Sequence, residues 1–187
     1  DTRTVTWAGR FELPKDPVLA IEVFAKLATL DMEGEGSWRF LMIGDGTLKE
    51  DVIARARELG VLERIEFTGA ISRHEVAEAL RHSSVLLMTS HFEGSPRVMY
   101  ESMACGTPVV ATAEADADNV LAEGRVGLAL ATREPSSLAE GIRSAAFFDR
   151  VSVADAVAHQ ASDSAVQRLW RITSNHTLRT AVEEPTG

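Results

Sequence analysis

A chain of 187 residues with 45% hydrophobic and 25% charged side chains has the make-up of an ordinary globular protein, sized for one domain or for one large and one small. The formal net charge of −9 argues against a broad nucleic-acid surface. A single cysteine excludes an internal disulfide and fits a reducing compartment, and no apolar run approaches the roughly 20 residues of a membrane-spanning helix. With no visible signal peptide, the expected location is cytoplasmic. The first residue is not Met, which fits a piece of a longer protein as well as a processed or shortened one.

Thr4 to Ala8 (TVTWA) reads as a short β-branched strand ending at Gly9-Arg10. After the loop FELPKDP, Asp16 is placed to cap a helix with Pro17 at its first position. Leu19, Val23, Phe24, Leu27 and Leu30 give that helix an apolar face. DMEGEGS is a solvated turn. Trp38 to Ile43 is an apolar run of strand length that closes on Gly44-Asp45-Gly46, a tight strand-to-helix turn rather than a full dinucleotide fingerprint. Thr47 with Glu50 has capping-box spacing and opens a helix to Gly60, with Val52, Ile53, Ala56 and Leu59 on one side. Arg64 to Thr68 is a short alternating strand. Ser72 with Glu75 repeats the capping box and starts a helix that turns Val76, Ala79 and Leu80 inward.

Residues 85 to 110 carry the densest signal. Val85 to Met88 is a buried strand, Thr89 to Gly94 a polar loop. Ser95 is placed as an N-cap with Pro96 at the first helical position. Gly106 suits the left-handed position after the last turn, Pro108 prevents resumption, and Val109-Val110 begins another strand. Beyond it, AEADADNVLAEG carries at most a short helix from Asp118 to Glu123, and Val126 to Ala131 is a sixth strand. Glu134-Pro135-Ser136 opens a helix to about Asp149, the helical pattern resumes at Val151, and a last amphipathic helix runs from Val166 to about Leu178. The alternation predicts an α/β fold: a single Rossmann-like doubly wound parallel sheet of about six strands, helices on both faces, with a core over 4–150 and C-terminal helices over 151–180. Continuous apolar strands predict a sheet covered on both sides.

In such a sheet the ligand lies outside the carboxyl ends of the strands, where Gly9-Arg10, Gly44-Asp45-Gly46, Gly69-Ala70 and Ser90 to Gly94 all fall. Arg10 and Lys15 suit a diphosphate, one as a planar fork and one as a point charge; taken alone, both also fit solvated surface cations. The helix after Pro96 offers the amides of Arg97, Val98 and Met99 and the positive end of its dipole. Glu93 and Glu101 bracket that helix start. As acceptors for ring hydroxyls they fit better than as a glycosidase acid/base pair, which needs a matched separation across a bound sugar. The bland readings are an ordinary helix-surface Glu at 101 and a loop carboxylate paired with an Arg at 93. His74 and His82 lack metal spacing, His91 reads as a surface or capping residue, and Cys105 as a small buried one. No metal site is expected.

The run EGSPRVMYESMACGTPVVAT, with Glu93 and Glu101 separated by seven residues, resembles the E-x7-E signature of retaining GT-B glycosyltransferases of the group 1 (family 4) type. Gly9-Arg10 with Lys15 downstream, IGDG at 43–46, FTG at 67–69 and EGRVGLAL at 123–130 extend the resemblance over about 4–150. It implies the C-terminal, nucleotide-sugar-binding half of a two-domain enzyme, with the N-terminal acceptor domain outside this sequence. The reaction implied is transfer of a hexosyl group from a nucleoside-diphosphate sugar (UDP or GDP) to an acceptor hydroxyl with retention. Attack would come on the front face, and the leaving phosphate oxygen would take the acceptor's proton. By the same resemblance Arg10, Lys15 and Glu93 are catalytic: the cations meet the diphosphate and Glu93 the sugar hydroxyls. Gly9, Ile71, Arg73, Gly94, Ser95, Arg97, Val98, Met99 and Glu101 bind donor, Glu101 through the ribose and Arg73 and Ile71 near the base.

No cofactor, metal or nucleic-acid partner is implied, and peripheral membrane association of the full-length protein is compatible with it. The sequence departs from the family pattern at Pro96, where many members have Gly, and at Ala115-Asp116 and Asn119, where a Gly-Gly and then a Glu are usual. The other reading is a non-catalytic nucleotide-sugar-binding or interaction module. A GT-B-shaped epimerase or phosphorylase lacks its catalytic acids or cofactor lysine here.

Overall fold

The computed structural model describes residues 2–30, 37–94, 96–116 and 119–160. The β-branched opening run forms β1 (Thr2–Ala8). Asp16 then starts α1 (Pro17–Leu30), its Oδ1 accepting from the Leu19 amide at 3.1 Å. There follow β2 (Ser37–Ile43), α2 (Lys49–Glu58), β3 (Ile65–Gly69), α3 (Arg73–His82), β4 (Val85–Met88), α4 (Arg97–Ala104), β5 (Val109–Thr112), β6 (Gly127–Leu130), α5 (Pro135–Ala145) and α6 (Arg150–Gln160). The strands form one six-stranded sheet, ordered β3-β2-β1-β4-β5-β6 and parallel throughout. The expected doubly wound Rossmann-like sheet is therefore what forms. The chain leaves β3 at one edge and returns to β4 beside β1, so strand order reverses between β1 and β4. Ligands of such sheets sit in the crevice beyond the carboxyl ends at that reversal.

Strand periodicity divides the core into two. Val5, Trp7, Val85, Leu87 and Val110 face one way, into a cluster with Leu19, Phe24, Leu27, Leu138 and Ile142 from α1 and α5. Leu86, Met88, Val109 and Ala111 face the other way, against Leu80, Met99, Met103, Val153 and Val157 from α3, α4 and α6. Successive residues of β4 and β5 are buried on opposite faces, which is why these strands read as unbroken apolar runs. Coverage is not complete, however. On β2 only Trp38, Phe40 and Met42 join the first cluster, while Arg39 is exposed, as is Glu66 on β3. The alternation expected of Arg64 to Thr68 fits the exposed Glu66, whereas the apolar run of β2 predicts cover on both sides; here α3 is the element beside this end of the sheet, and Ala79 and His82 line an open 220 Å³ hollow with Thr4, Arg39 and Glu66.

Helix ends follow local chemistry where side chains reach the backbone. The Ser72 box is fully made: its hydroxyl accepts from the Glu75 amide at 3.3 Å, and the Glu75 carboxylate accepts from the Ser72 amide at 2.8 Å. Ser72→Ala should lower the melting temperature by about 2–4 °C, a cap being worth about 1 kcal/mol in a chain of this size, as a calorimetric melt would show. At the end of α4, Gly106 has φ 71°. The Thr107 amide donates to Ser102 and the Gly106 amide to Met103, both at 2.9 Å, a Schellman motif.

The Thr47–Glu50 box does not form. Thr47 instead donates its hydroxyl to Glu12 Oε2 at 2.9 Å, binding the loop after β2 to the loop after β1, and Leu48 is the N-cap of α2. The short helix expected from Asp118 is also replaced. Residues 119–124 form turns in which Asp116, 4% exposed, accepts from the Val120 and Leu121 amides, and Asn119 takes φ 51°. The turn at 31–36 and the helix from Val166 lie outside the described residues.

Candidate functional site

Two loops flank the reversal point, one after β1 and one after β4. The first leaves β1 at Gly9, where a Cβ would stand 3.2 Å from the Trp7 ring and 3.7 Å from Lys15 Cγ. Its turn is supported from below by Gly44-Asp45-Gly46: the Phe11 amide donates to the Asp45 carbonyl at 2.9 Å, and the Gly9 amide to Ile43 at 3.0 Å. The loop ends at Asp16, which has a left-handed backbone, φ 46°. Thr89, first residue of the second loop, joins the two. Its hydroxyl accepts from Trp7 Nε1 at 3.0 Å and donates to the Lys15 and Asp16 carbonyls at 2.9 and 2.8 Å. The His91 amide adds a bond to the Pro14 carbonyl at 2.9 Å.

Those backbone ties bring two candidate residues into direct contact. Lys15 Nζ forms an ion pair with Glu93 Oε1, and the same oxygen accepts from the Ser90 hydroxyl at 2.6 Å. Glu93 is 7% exposed, whereas Lys15 keeps part of its side chain open to solvent. A buried carboxylate needs such partners, since leaving the pair unmade would strand a charge away from water. Arg10 is exposed in the same loop, and no hydrogen bond or ion pair is formed by its guanidinium among the described residues.

The second group lies across the start of α4. Glu101 is half-buried, and burial raises its pKa above the ordinary value, partly opposed by the positive charges of Arg73, at the start of α3, and Arg97, at the start of α4. A carboxyl flanked by two cations and shielded from water accepts hydrogen bonds strongly once ionised. Ile71, half-buried in the loop before α3, is on the same side of the fold. At the helix start the geometry differs from the simple expectation. Pro96 is the N-cap rather than the first helical residue, and its carbonyl accepts from the Met99 amide at 2.9 Å. Met99 is fully buried, so the three open amides expected reduce to those of Arg97 and Val98. Gly94 is exposed, and Ser95 lies outside the described residues.

Arg133, in the loop after β6, was not among the candidates. Its guanidinium donates to Asp16 Oδ2 at 2.7 Å and to the Thr89 carbonyl at 2.8 Å. The available signal was its place: a cation just past the carboxyl end of a strand, as Arg10 is. His91 is a surface residue whose Nε2 approaches Asp16 Oδ2 at 3.2 Å. Cys105 is half-buried and burial raises its thiol pKa, which disfavours the reactive thiolate.

The fold has known counterparts. The description "Glycosyl transferases group 1" matches residues 1–146. The chain belongs to this family. Among curated relatives, it is 31% identical over 140 residues to the Vi polysaccharide biosynthesis protein VipC/TviE of Salmonella typhi, covering 75% of this chain and 23% of that protein. It is 29% identical over 145 residues to the D-inositol 3-phosphate glycosyltransferase of Frankia alni, covering 75% and 36%. Among solved structures, Anabaena Alr3699/HepE in complex with UDP and glucose superposes with a TM-score of 0.73 at 20% identity, covering 95% of this chain and 48% of that one. The chain thus spans about a quarter to about a third of these curated relatives, and about half of the solved structure. The fold is that of one half of a glycosyltransferase. Among the described residues no helix is long and apolar enough to cross a membrane.

Proposed function

We propose that this chain is the donor-binding half of a retaining glycosyltransferase that moves a hexosyl group from a nucleoside-diphosphate sugar to an acceptor hydroxyl, with the acceptor site supplied by a further domain. The observation that carries the reading is the Lys15–Glu93 pair beside the β1/β4 reversal, with Glu101 half-buried in the field of Arg73 and Arg97. In the proposed complex Lys15 turns its charge toward the diphosphate, joined by Arg10 and the Arg97 and Val98 amides. Glu93, still held by Ser90, takes hydrogen bonds from sugar hydroxyls. Glu101 takes those of the ribose, with Ile71 and Arg73 toward the base. As the bond from the anomeric carbon to the leaving phosphate oxygen breaks, negative charge grows on that oxygen, where the cations stabilise it most. The acceptor hydroxyl bonds to the same face of that carbon and gives its proton to the leaving phosphate oxygen. The resident groups do this without a metal, and the chain alone binds donor without transferring it. The complex of the Anabaena neighbour with UDP and glucose supports UDP as the first nucleotide to test, with GDP as the second.

Isothermal titration of the chain with UDP and GDP should give saturable binding of at least one of them, weakened in Arg10→Ala. Unaltered binding in that variant would remove Arg10 from the diphosphate. The ribose contact has its own test. Because burial places the Glu101 pKa above the ordinary carboxylate value, the residue loses its charge earlier than a surface glutamate as pH falls. Preference for UDP over 2′-deoxy-UDP should therefore be full above that raised pKa and decline below it. Taking the ratio cancels the titration of the phosphate itself. Glu101→Ala should abolish the preference, about 10-fold if one charged hydrogen bond is involved. Equal losses for both nucleotides would exclude the ribose contact.

A further inference from the structure

Arg133 takes no part in the donor contacts proposed above, yet it ties together the two loops that carry them. Its Nη2 donates to Asp16 Oδ2 at 2.7 Å and to the Thr89 carbonyl at 2.8 Å, and its Nη1 to the Ser90 carbonyl at 3.3 Å. The Glu114 carboxylate lies 3.7 Å from Nη1. These partners stand in the loops after β1, β4 and β5, so one guanidinium spans the carboxyl edge of the sheet from its own loop after β6.

Two of these contacts, at Asp16 and Ser90, bear on Lys15 and Glu93 of the proposed site. Asp16 directly follows Lys15 and holds a left-handed backbone that is disfavoured for a residue with a side chain. What retains it there is its own surroundings: Arg133 and His91 on Oδ2 and the Leu19 amide on Oδ1. On the other side, the Ser90 carbonyl is held by Arg133 and by the Thr112 hydroxyl at 2.9 Å, while the Ser90 hydroxyl holds Glu93. We infer that Arg133 is a positioning residue for the donor site, fixing the gap between the Lys15 loop and the Glu93 loop so that cation and carboxylate meet donor from set positions. This rests on the nucleotide-sugar reading of that site. A planar, multi-donor fork is required, because its acceptors diverge toward two loops; a lysine ammonium offers a single point in the same space.

The test uses the 187-residue chain, titrated calorimetrically with UDP and GDP, alongside Arg133→Ala, Arg133→Lys, Lys15→Ala and the Arg133→Ala/Lys15→Ala double variant. Arg133→Ala should weaken nucleotide binding about 10-fold at equal folded fraction, because small misplacements of binding groups are costly. Arg133→Lys should restore only part of this. The double variant should bind little worse than Lys15→Ala, since Arg133 acts through the same contact. Amide exchange at His91, whose N–H bridges to Pro14, should quicken in Arg133→Ala without nucleotide. If wild-type chain binds and Arg133→Ala binds equally well, or if the two losses simply add, the positioning role is overturned. Loss of binding that only tracks loss of folded protein overturns it as well. A wild-type chain that binds neither nucleotide overturns the donor-site reading itself, and this inference with it.

Discussion

Lys15→Met should weaken UDP or GDP binding on the order of 50-fold, the worth of a hydrogen-bonded charge on a phosphate, and should destabilise the chain by about 1–3 kcal/mol. The two effects have separate causes. Stability falls because Glu93, 7% exposed, keeps the Ser90 hydroxyl as its one side-chain partner among the described residues. The cost is held below that of a fully buried pair because Lys15 is partly open to water. Binding falls because the ammonium itself is the proposed diphosphate ligand. Removing both charges separates the effects. In Lys15→Met/Glu93→Gln no carboxylate is stranded, so the melting temperature should return toward wild type. Nucleotide affinity should stay as poor as in the single variant. Restoration of both together would make the pair a structural ion pair and take Lys15 out of the donor site. Glu93→Gln alone should reduce discrimination between UDP-sugar and UDP, because the proposed partner of Glu93 is the sugar.

A larger loss is expected where backbone meets backbone. Gly44→Ala should lower stability by more than about 4 kcal/mol, at the rare end for a single substitution, and so drop the melting temperature by about 10 °C or more. A Cβ at Gly44 would stand 1.9 Å from the Gly9 carbonyl oxygen, and the backbone there has φ +127°. Side-chain rotation relieves neither problem. Moving the Gly9 loop aside would break the bonds that join it to the turn below, among them Phe11 amide to Asp45 and Leu48 amide to Phe11, both 2.9 Å. Those bonds also seat Arg10, so protein that does fold should bind nucleotide less well. Gly60→Ala is the control. Gly60 has φ +72°, but nothing lies within 4 Å of an added Cβ, so the cost is conformational alone, about 1 kcal/mol. Comparable melting temperatures for the two variants would refute the close approach at Gly44.

The residues that could be read along the chain are those whose partners lie within a turn of helix or an alternate strand position. Asp16 before Pro17, Ser72 with Glu75 and Gly106 after α4 each make the local contact that their spacing predicts. The apolar runs of β4 and β5 are buried on both faces, and the alternation of strand and helix was enough to give a parallel doubly wound sheet. Local spacing also misled where a stronger partner lay elsewhere in the fold. Thr47 has capping-box spacing to Glu50 but binds Glu12 across two loops, and Pro96 closes a turn on the Met99 amide that was expected to stay open.

By itself, then, the sequence determined the α/β class, the number of strands, several helix ends and the loops at the carboxyl ends of the strands, because these follow from short-range periodicity and capping. Strand order and loop contact were decided only in three dimensions. Lys15 and Glu93 are 78 residues apart, and Asp16 and Arg133 are 117 apart. They meet because β1 is laid beside β4 and the β6 loop reaches back over both, a juxtaposition that no local pattern encodes. The partial exposure of β2 and β3 has the same origin, since which helix covers which strand depends on where the sheet places its edge.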